Sequence, residues 1–107
     1  MYNKNVINME IKEAKNFKDK LIGLMFKKNI NYGILFYNCK SIHTFFMKEN
    51  IDVILLDKNN KILKINRDIK PNRILIFKTK KRTNILELPS NSSKSFKINQ
   101  IIDINNL

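Results

Sequence analysis

CKSIHTFFMKENIDVILLD, residues 39–57, holds the only Cys and the only His of the chain and sets an acid between Ile51 and Val53. Its last seven residues decide the fold. As a strand, IDVILLD puts Ile51, Val53 and Leu55 on one face and Asp52, Ile54 and Leu56 on the other. Both faces are apolar, the mark of a strand covered on both sides. Asp52 then points into a closed layer, where a carboxylate must be paired, multiply hydrogen-bonded or protonated. It is either a structural acid, holding a backbone turn or pairing with an arginine, or a site acid with a raised pKa. The structural role is the simpler one.

Upstream, IHTFFM (42–47) reads as a second strand, with His43, Phe45 and Met47 on one face and Ile42, Thr44 and Phe46 on the other. A lone His on such a face is usually a hydrogen-bonded core or rim residue. Cys39 and His43 are too few for a structural zinc site, which wants four ligands. With Asp52 a three-ligand site is conceivable, but no metal or cofactor is expected. A Cys-His hydrolase would need an oxyanion hole beside the thiol. No Gly-rich turn precedes Cys39, whose neighbours are Asn38 and Lys40. Catalysis by Cys39 is not expected.

Further strand patterns lie on either side: VINMEIK (6–12), ILFYN (34–38), KILKI (61–65), RILIF (73–77), NILEL (84–88) and QIIDI (100–104). Short strands so closely spaced point to a sandwich or small barrel. Asp57–Lys61 is a hairpin turn, with Asn59 and Asn60 able to take positive φ. Pro71 and Pro89 should end strands, and residues 90–97 read as a loop or a single helical turn. One helix is expected over 17–26. Asn16 would cap it, Phe17, Leu21, Leu24 and Met25 would form its apolar stripe, and Gly23 would allow close packing.

Arg73 at a strand entry invites a bidentate carboxylate partner, and Asp52 or Glu87 could supply it. There is no phosphate loop, dinucleotide fingerprint, metalloprotease motif or nucleophile elbow. With 107 residues and a single Cys, the chain is expected to be one β domain over 1–107 without disulfides. No signal-peptide pattern or membrane-length apolar run is present, so a cytoplasmic monomer is expected. The net charge of +12 invites a nucleic-acid or anionic-membrane reading. Yet Lys, Asn and Ile make up about half of the chain, all with AT-rich codons, and Lys outnumbers Arg 18 to 3. Compositional drift explains this better than a nucleic-acid footprint, which should be a patch or stripe.

In order and spacing, these elements resemble the Domain of Unknown Function 192 family of small bacterial and archaeal proteins. The resemblance rests on Ala14, Gly23-Leu24-Met25-Phe26, Gly33, Leu35-Phe36, Cys39, Ile42-His43-Thr44, Met47, Ile51-Asp52-Val53, Asp57, Pro71, Arg73 and Leu86-Glu87-Leu88-Pro89. It runs from Ala14 to about Ile104. Two departures fall late: Ser90-Asn91 follows Pro89 where the family continues Ala-Gly, and Asn99-Gln100 replaces a Gly-Asp turn. Asn can adopt the backbone that Gly adopts, so the fold should survive. The resemblance implies a mainly β, jelly-roll-like sandwich or small barrel with one short helix, and no established reaction. The leading expectation is a non-catalytic module that binds a small polar ligand or partner peptide in a cleft near His43, Thr44, Asp52, Arg73 and Glu87. The alternatives are a hydrolase-like or metal-assisted enzyme using Asp52 and His43, and a basic surface for nucleic acid or anionic membrane.

Overall fold

The computed structural model describes residues 4–6, 9–16 and 23–104. Nine strands follow in order: β1 (Lys4–Val6), β2 (Ile11–Glu13), β3 (Gly33–Phe36), β4 (Ser41–His43), β5 (Ile51–Asp57), β6 (Ile62–Ile69), β7 (Ile74–Ile76), β8 (Thr83–Pro89) and β9 (Ile101–Asp103). The central sheet has the order β2-β3-β8-β5-β6, parallel between β2 and β3 and antiparallel elsewhere. Two ribbons, parallel β1–β9 and antiparallel β4–β7, complete the fold.

The alternation in β5 explains this layering. Ile54 and Leu56 join Leu35, Leu86, Leu88, Ile62, Phe96 and Ile102 in one core cluster. Ile51, Val53 and Leu55 join Ile34, Phe36, Ile85, Ala14, Leu24, Met47 and Phe77 in another. The first layer is closed by β9 and the 90–97 loop. The second is closed by Ala14, Leu24, Met25 and Ile30 and by the β4–β7 ribbon, whose Ile42 and Leu75 pack against it. The sheet is therefore covered on both faces, as the continuous apolar run of β5 requires. At Gly33 a Cβ would fall 2.7 Å from Leu88 Cδ2 and 2.8 Å from Ile11 Cδ1, so only glycine fits the β2–β3 approach.

Two expectations about the fold need correction. Among the described residues there is no helix. Residues 17–22 of the expected helix lie outside the described residues. Its described end, 23–26, is a turn, with Gly23 at φ 50° and Phe26 at φ 65°. A helix cannot pass through two left-handed residues. The apolar stripe was real in one respect: Leu24 is fully buried, but a turn inserts it. The jelly-roll-like sandwich or barrel is likewise replaced, among the described residues, by one open five-stranded sheet with two ribbons.

Local chemistry sets the boundaries. The Asp57 Oδ1 accepts the Asn59 and Lys61 N–H groups and closes the hairpin, with Asn60 at φ 64°. β6 runs to Ile69, one residue before the Lys70-Pro71 step, and β8 ends at Pro89. Residues 90–97 form turns, with Ser92 N–H bonded to Pro89 O and Phe96 N–H to Ser93 O. Both late departures from the family pattern keep the backbone: Asn91 stands at φ 73° and Asn99 at φ 74°.

Candidate functional site

Asp52 is fully buried, and its oxygens are satisfied. Oδ1 accepts the Asp68 N–H at 2.8 Å; Oδ2 accepts the Ser93 N–H at 3.0 Å and the Ser93 hydroxyl at 2.5 Å. The Asp68 bond exists because β5 and β6 slip register here. Ile51 faces Ile69 and Val53 faces Asn66, so Asp52 alone opposes Arg67 and Asp68, with Asp68 at φ 56°. This is a β-bulge, and its spare N–H finds the carboxylate. Arg67 then donates to the Ser93 and Phe96 carbonyls. Asp52 and Arg67 together pin the 90–97 loop over the first core layer.

Glu87 sits on the neighbouring strand but on the other face. Val53 is its cross-strand partner, whereas Asp52 faces Leu88. Opposed residues of an antiparallel pair share a face, so the two acids point to opposite sides of the sheet. Glu87 is 2% exposed, and its Oε1 has no hydrogen-bond partner among the described residues. Burial pushes its carboxyl up to about 8, opposed by a backbone hydrogen bond from Leu24. Oε1 lies beneath Gly23: a Cβ built there would be 3.1 Å from Oε1 and 3.2 Å from Phe36 Cζ. Above Gly23 opens a cavity of about 240 Å³ lined by Lys12, Glu13, Ala14, Gly23, Lys27, Tyr32 and Ile34. The Lys12 ammonium stands 4.2 Å over the Tyr32 ring.

The remaining expected residues gather at the β4–β7 ribbon. Thr44 is buried, and its hydroxyl donates to Lys70 O at 2.7 Å and accepts the Arg73 N–H at 2.8 Å. It knots the 70–73 loop. The Arg73 guanidinium is exposed and pairs with neither Asp52 nor Glu87. His43 is half-buried; its ring stacks on Phe45 at 5.1 Å and its Nδ1 accepts the Phe45 N–H. The Cys39 thiol donates to Ser41 O. Among the described residues no three His, Cys, Asp or Glu side chains come close enough to hold a metal. The fold thus brings His43, Thr44 and Arg73 together, sets Glu87 apart under the 23–26 turn, and sends Asp52 to the far face.

The model of the family described as uncharacterized ACR, DUF192, matches residues 2–102. The chain belongs to the DUF192 family. A UPF0127 protein of Pyrococcus horikoshii, of the same family, is 40% identical over 95 residues, covering 82% of this chain and 79% of that one. A solved structure of a protein of unknown function from Novosphingobium aromaticivorans superposes with a TM-score of 0.71 at 15% identity, over 81% of this chain and 69% of that one. A second, described as a candidate transcription regulator from Sinorhizobium meliloti, gives 0.68 at 17% identity over 82% and 74%. At such identities the structural likeness shows the fold alone. The function of this family is uncharacterised, so no DUF192 activity transfers to these residues.

Lys12, Lys27 and Tyr32 at the Glu87 cavity were not among the residues that the sequence singled out. Their only signal is indirect. Lys12 is the outward-facing middle residue of β2 and Lys27 follows Phe26, positions that read as ordinary solvated charge until the turn folds over Glu87.

Proposed function

We propose that this DUF192 domain is a non-catalytic binding module whose ligand, small and anionic, occupies the cavity over Gly23. The observation that carries the proposal is Glu87: a buried carboxyl with a free oxygen, directly under a residue that lines an open cavity. Buried polar groups without partners are rare and call for a reason. At neutral pH this carboxyl keeps its proton, so the floor of the cavity is uncharged. The walls carry the Lys12 and Lys27 ammonium groups, against the single carboxylate of Glu13. An anion bearing a hydrogen-bond acceptor fits that polarity. A larger cavity of about 410 Å³ is lined by Asp57, Lys58, Lys81 and Arg82; the Asn60 Oδ1 of the same hairpin is also buried without a partner, but it belongs to a neutral amide and not to an ionisable group.

The test is a melting-temperature screen against small carboxylates and phosphates. At least one should raise the wild-type midpoint and do so much less in Lys27→Ala and Gly23→Ala. A screen with no shift, or a shift equal in all three proteins, would sink this assignment. An enzyme using Asp52 and His43 draws no support from the geometry, because the two lie on opposite sides of the central sheet and the Asp52 oxygens are already engaged.

A further inference from the structure

Five of the large hydrophobic side chains exposed among the described residues belong to one region: Phe26 (58%), Phe45 (38%), Phe46 (62%), Ile74 (60%) and Ile76 (68%). Ile74 and Ile76 alternate outward from β7, and with Ser41, His43 and Phe45 they line a shallow apolar depression. Phe46 follows Phe45 directly and stacks on Phe26, with ring centroids 5.5 Å apart. The Phe26 N–H donates to Phe46 O at 2.9 Å, which ties the two turns together.

The backbone at this pair is unusual. Phe26 has φ 65° and Phe46 φ 62°. A bulky residue there is a true outlier, at a cost of about 1–3 kcal/mol. Of the other non-Gly residues at positive φ, six are Asn and one is Asp68. Among the described residues this Asn-rich chain fills such positions with Asn or Asp, which tolerate them, except at these two. Here it accepts both strain and apolar exposure. Strain of this kind clusters at functional sites.

The surrounding charge indicates what is contacted. Lys27 and Lys28 follow Phe26, Lys48 follows Phe46 and Met47, and Arg73 and Lys78 flank the β7 segment; all five are exposed. Among the described residues, the carboxylate beside them is Glu49, which accepts the Asn29 and Ile30 N–H groups. We propose that the Phe26–Phe46 pair and the β4–β7 face seat this domain on an anionic lipid membrane surface, with the phenyl rings entering the interface and the lysines meeting headgroups. Aromatic tips on turns, with mobile ammonium groups around them, suit a deformable surface. A folded partner would need a matching groove for the rings. Lysine, a hydrated point charge, serves diffuse negative charge better than it serves bidentate recognition. Apolar insertion and a basic ring together are the two signals that reversible membrane binding requires.

The test is co-sedimentation with vesicles of phosphatidylcholine alone and of phosphatidylcholine with 30% phosphatidylglycerol. Wild-type protein should bind the anionic vesicles at least tenfold better, and lose that binding in high salt. Phe26→Asn/Phe46→Asn should lose at least tenfold in vesicle binding while melting higher, since Asn relieves the strained backbone. The chain has no Trp, so Phe46→Trp gives a single reporter whose emission should shift to the blue on anionic vesicles. Binding unchanged in the double Asn variant, or no shift at Trp, overturns the proposal in favour of surface charge alone. Absence of vesicle binding, with self-association abolished in the double Asn variant, overturns it in favour of a second copy as the occupant.

Discussion

Two acids on adjacent strands, Asp52 of β5 and Glu87 of β8, are both sealed from solvent and yet are treated in opposite ways. Asp52 faces a bulge and a loop that turn three donors toward it. Glu87 faces a turn that offers one backbone hydrogen bond and leaves Oε1 bare. Asp52 therefore builds the fold, since removing it would strand the donors arranged around it. Glu87 is retained against its desolvation cost, and its free oxygen lies beneath Gly23, which lines an open cavity. Burial alone does not mark a site. What separates the two is whether the surrounding backbone was shaped to satisfy the group.

Replacing Asp52 breaks the comparison most severely. Asp52→Ala should cost about 3 kcal/mol or more, because buried donors at Asp68 and Ser93 lose their acceptor. Denaturant unfolding checks this, and hydrogen exchange should show the 90–97 loop losing protection first. A loss below about 1 kcal/mol would mean that the loop is held by Arg67 alone.

Glu87→Gln should act with the opposite sign. The unfolded carboxyl has its ordinary pKa of 4.5 and the folded one about 8. Between these values the unfolded state has released a proton that the folded state still holds. Wild-type stability should therefore fall as pH rises from 4.5 to 8, by about 1 kcal/mol per pH unit, and level off above. Gln does not ionise, so the variant should be the more stable protein at pH 8, and the two curves should converge toward pH 5. Parallel curves would show that Glu87 stays ionised.

The central sheet was legible in the sequence for the same reason that it hides its acids well. IDVILLD matches β5 to the residue, and NILEL lies within β8, because continuous β-branched and leucine runs admit one reading. VINMEIK read as one strand but serves two, β1 and β2, which pair in different sheets. β6 extends four residues beyond KILKI because an edge strand can carry half-buried Asn66 and exposed Arg67 and Asp68 without an apolar signature. The 42–47 pattern stops at His43, since Thr44 bonds sideways to the 70–73 loop and Phe46 turns left-handed. Of the site, the costly residues were legible one at a time. Their faces were not, because register across β5 and β8 is a tertiary fact, and so Asp52 and Glu87 were grouped although they point apart.

Gly23→Ala probes the roof over Glu87. The new Cβ would stand 3.1 Å from Oε1 and 3.2 Å from Phe36, on a backbone at φ 50°. A cost of about 1–2 kcal/mol is expected, visible as a lower melting temperature. If the turn shifts to relieve the contact, Oε1 gains access to water and the pH dependence of stability should shrink with it. A variant that keeps the full pH slope would place the desolvation of Glu87 in its strand neighbours and not in the turn.

The smallest effect belongs to Asp68, one covalent step from the donor that satisfies Asp52. Its carboxylate accepts the Asn50 amide and the Ser90 hydroxyl in full solvent. The Ser90 bond, then the Asn50 bond, holds its pKa below the ordinary 3.8. A depressed acid stabilises the fold above its unfolded pKa and loses that contribution as pH falls through the folded one. Asp68→Asn keeps the left-handed backbone, because Asn tolerates it as well as Asp. The melting temperature at neutral pH should fall only slightly, because the group is fully exposed, and the acid limb of the stability curve, below pH 3.8, should flatten by the same small amount. A large loss at neutral pH would show that the bulge depends on this exposed side chain and not on the buried Asp52, reversing the roles assigned to the two aspartates.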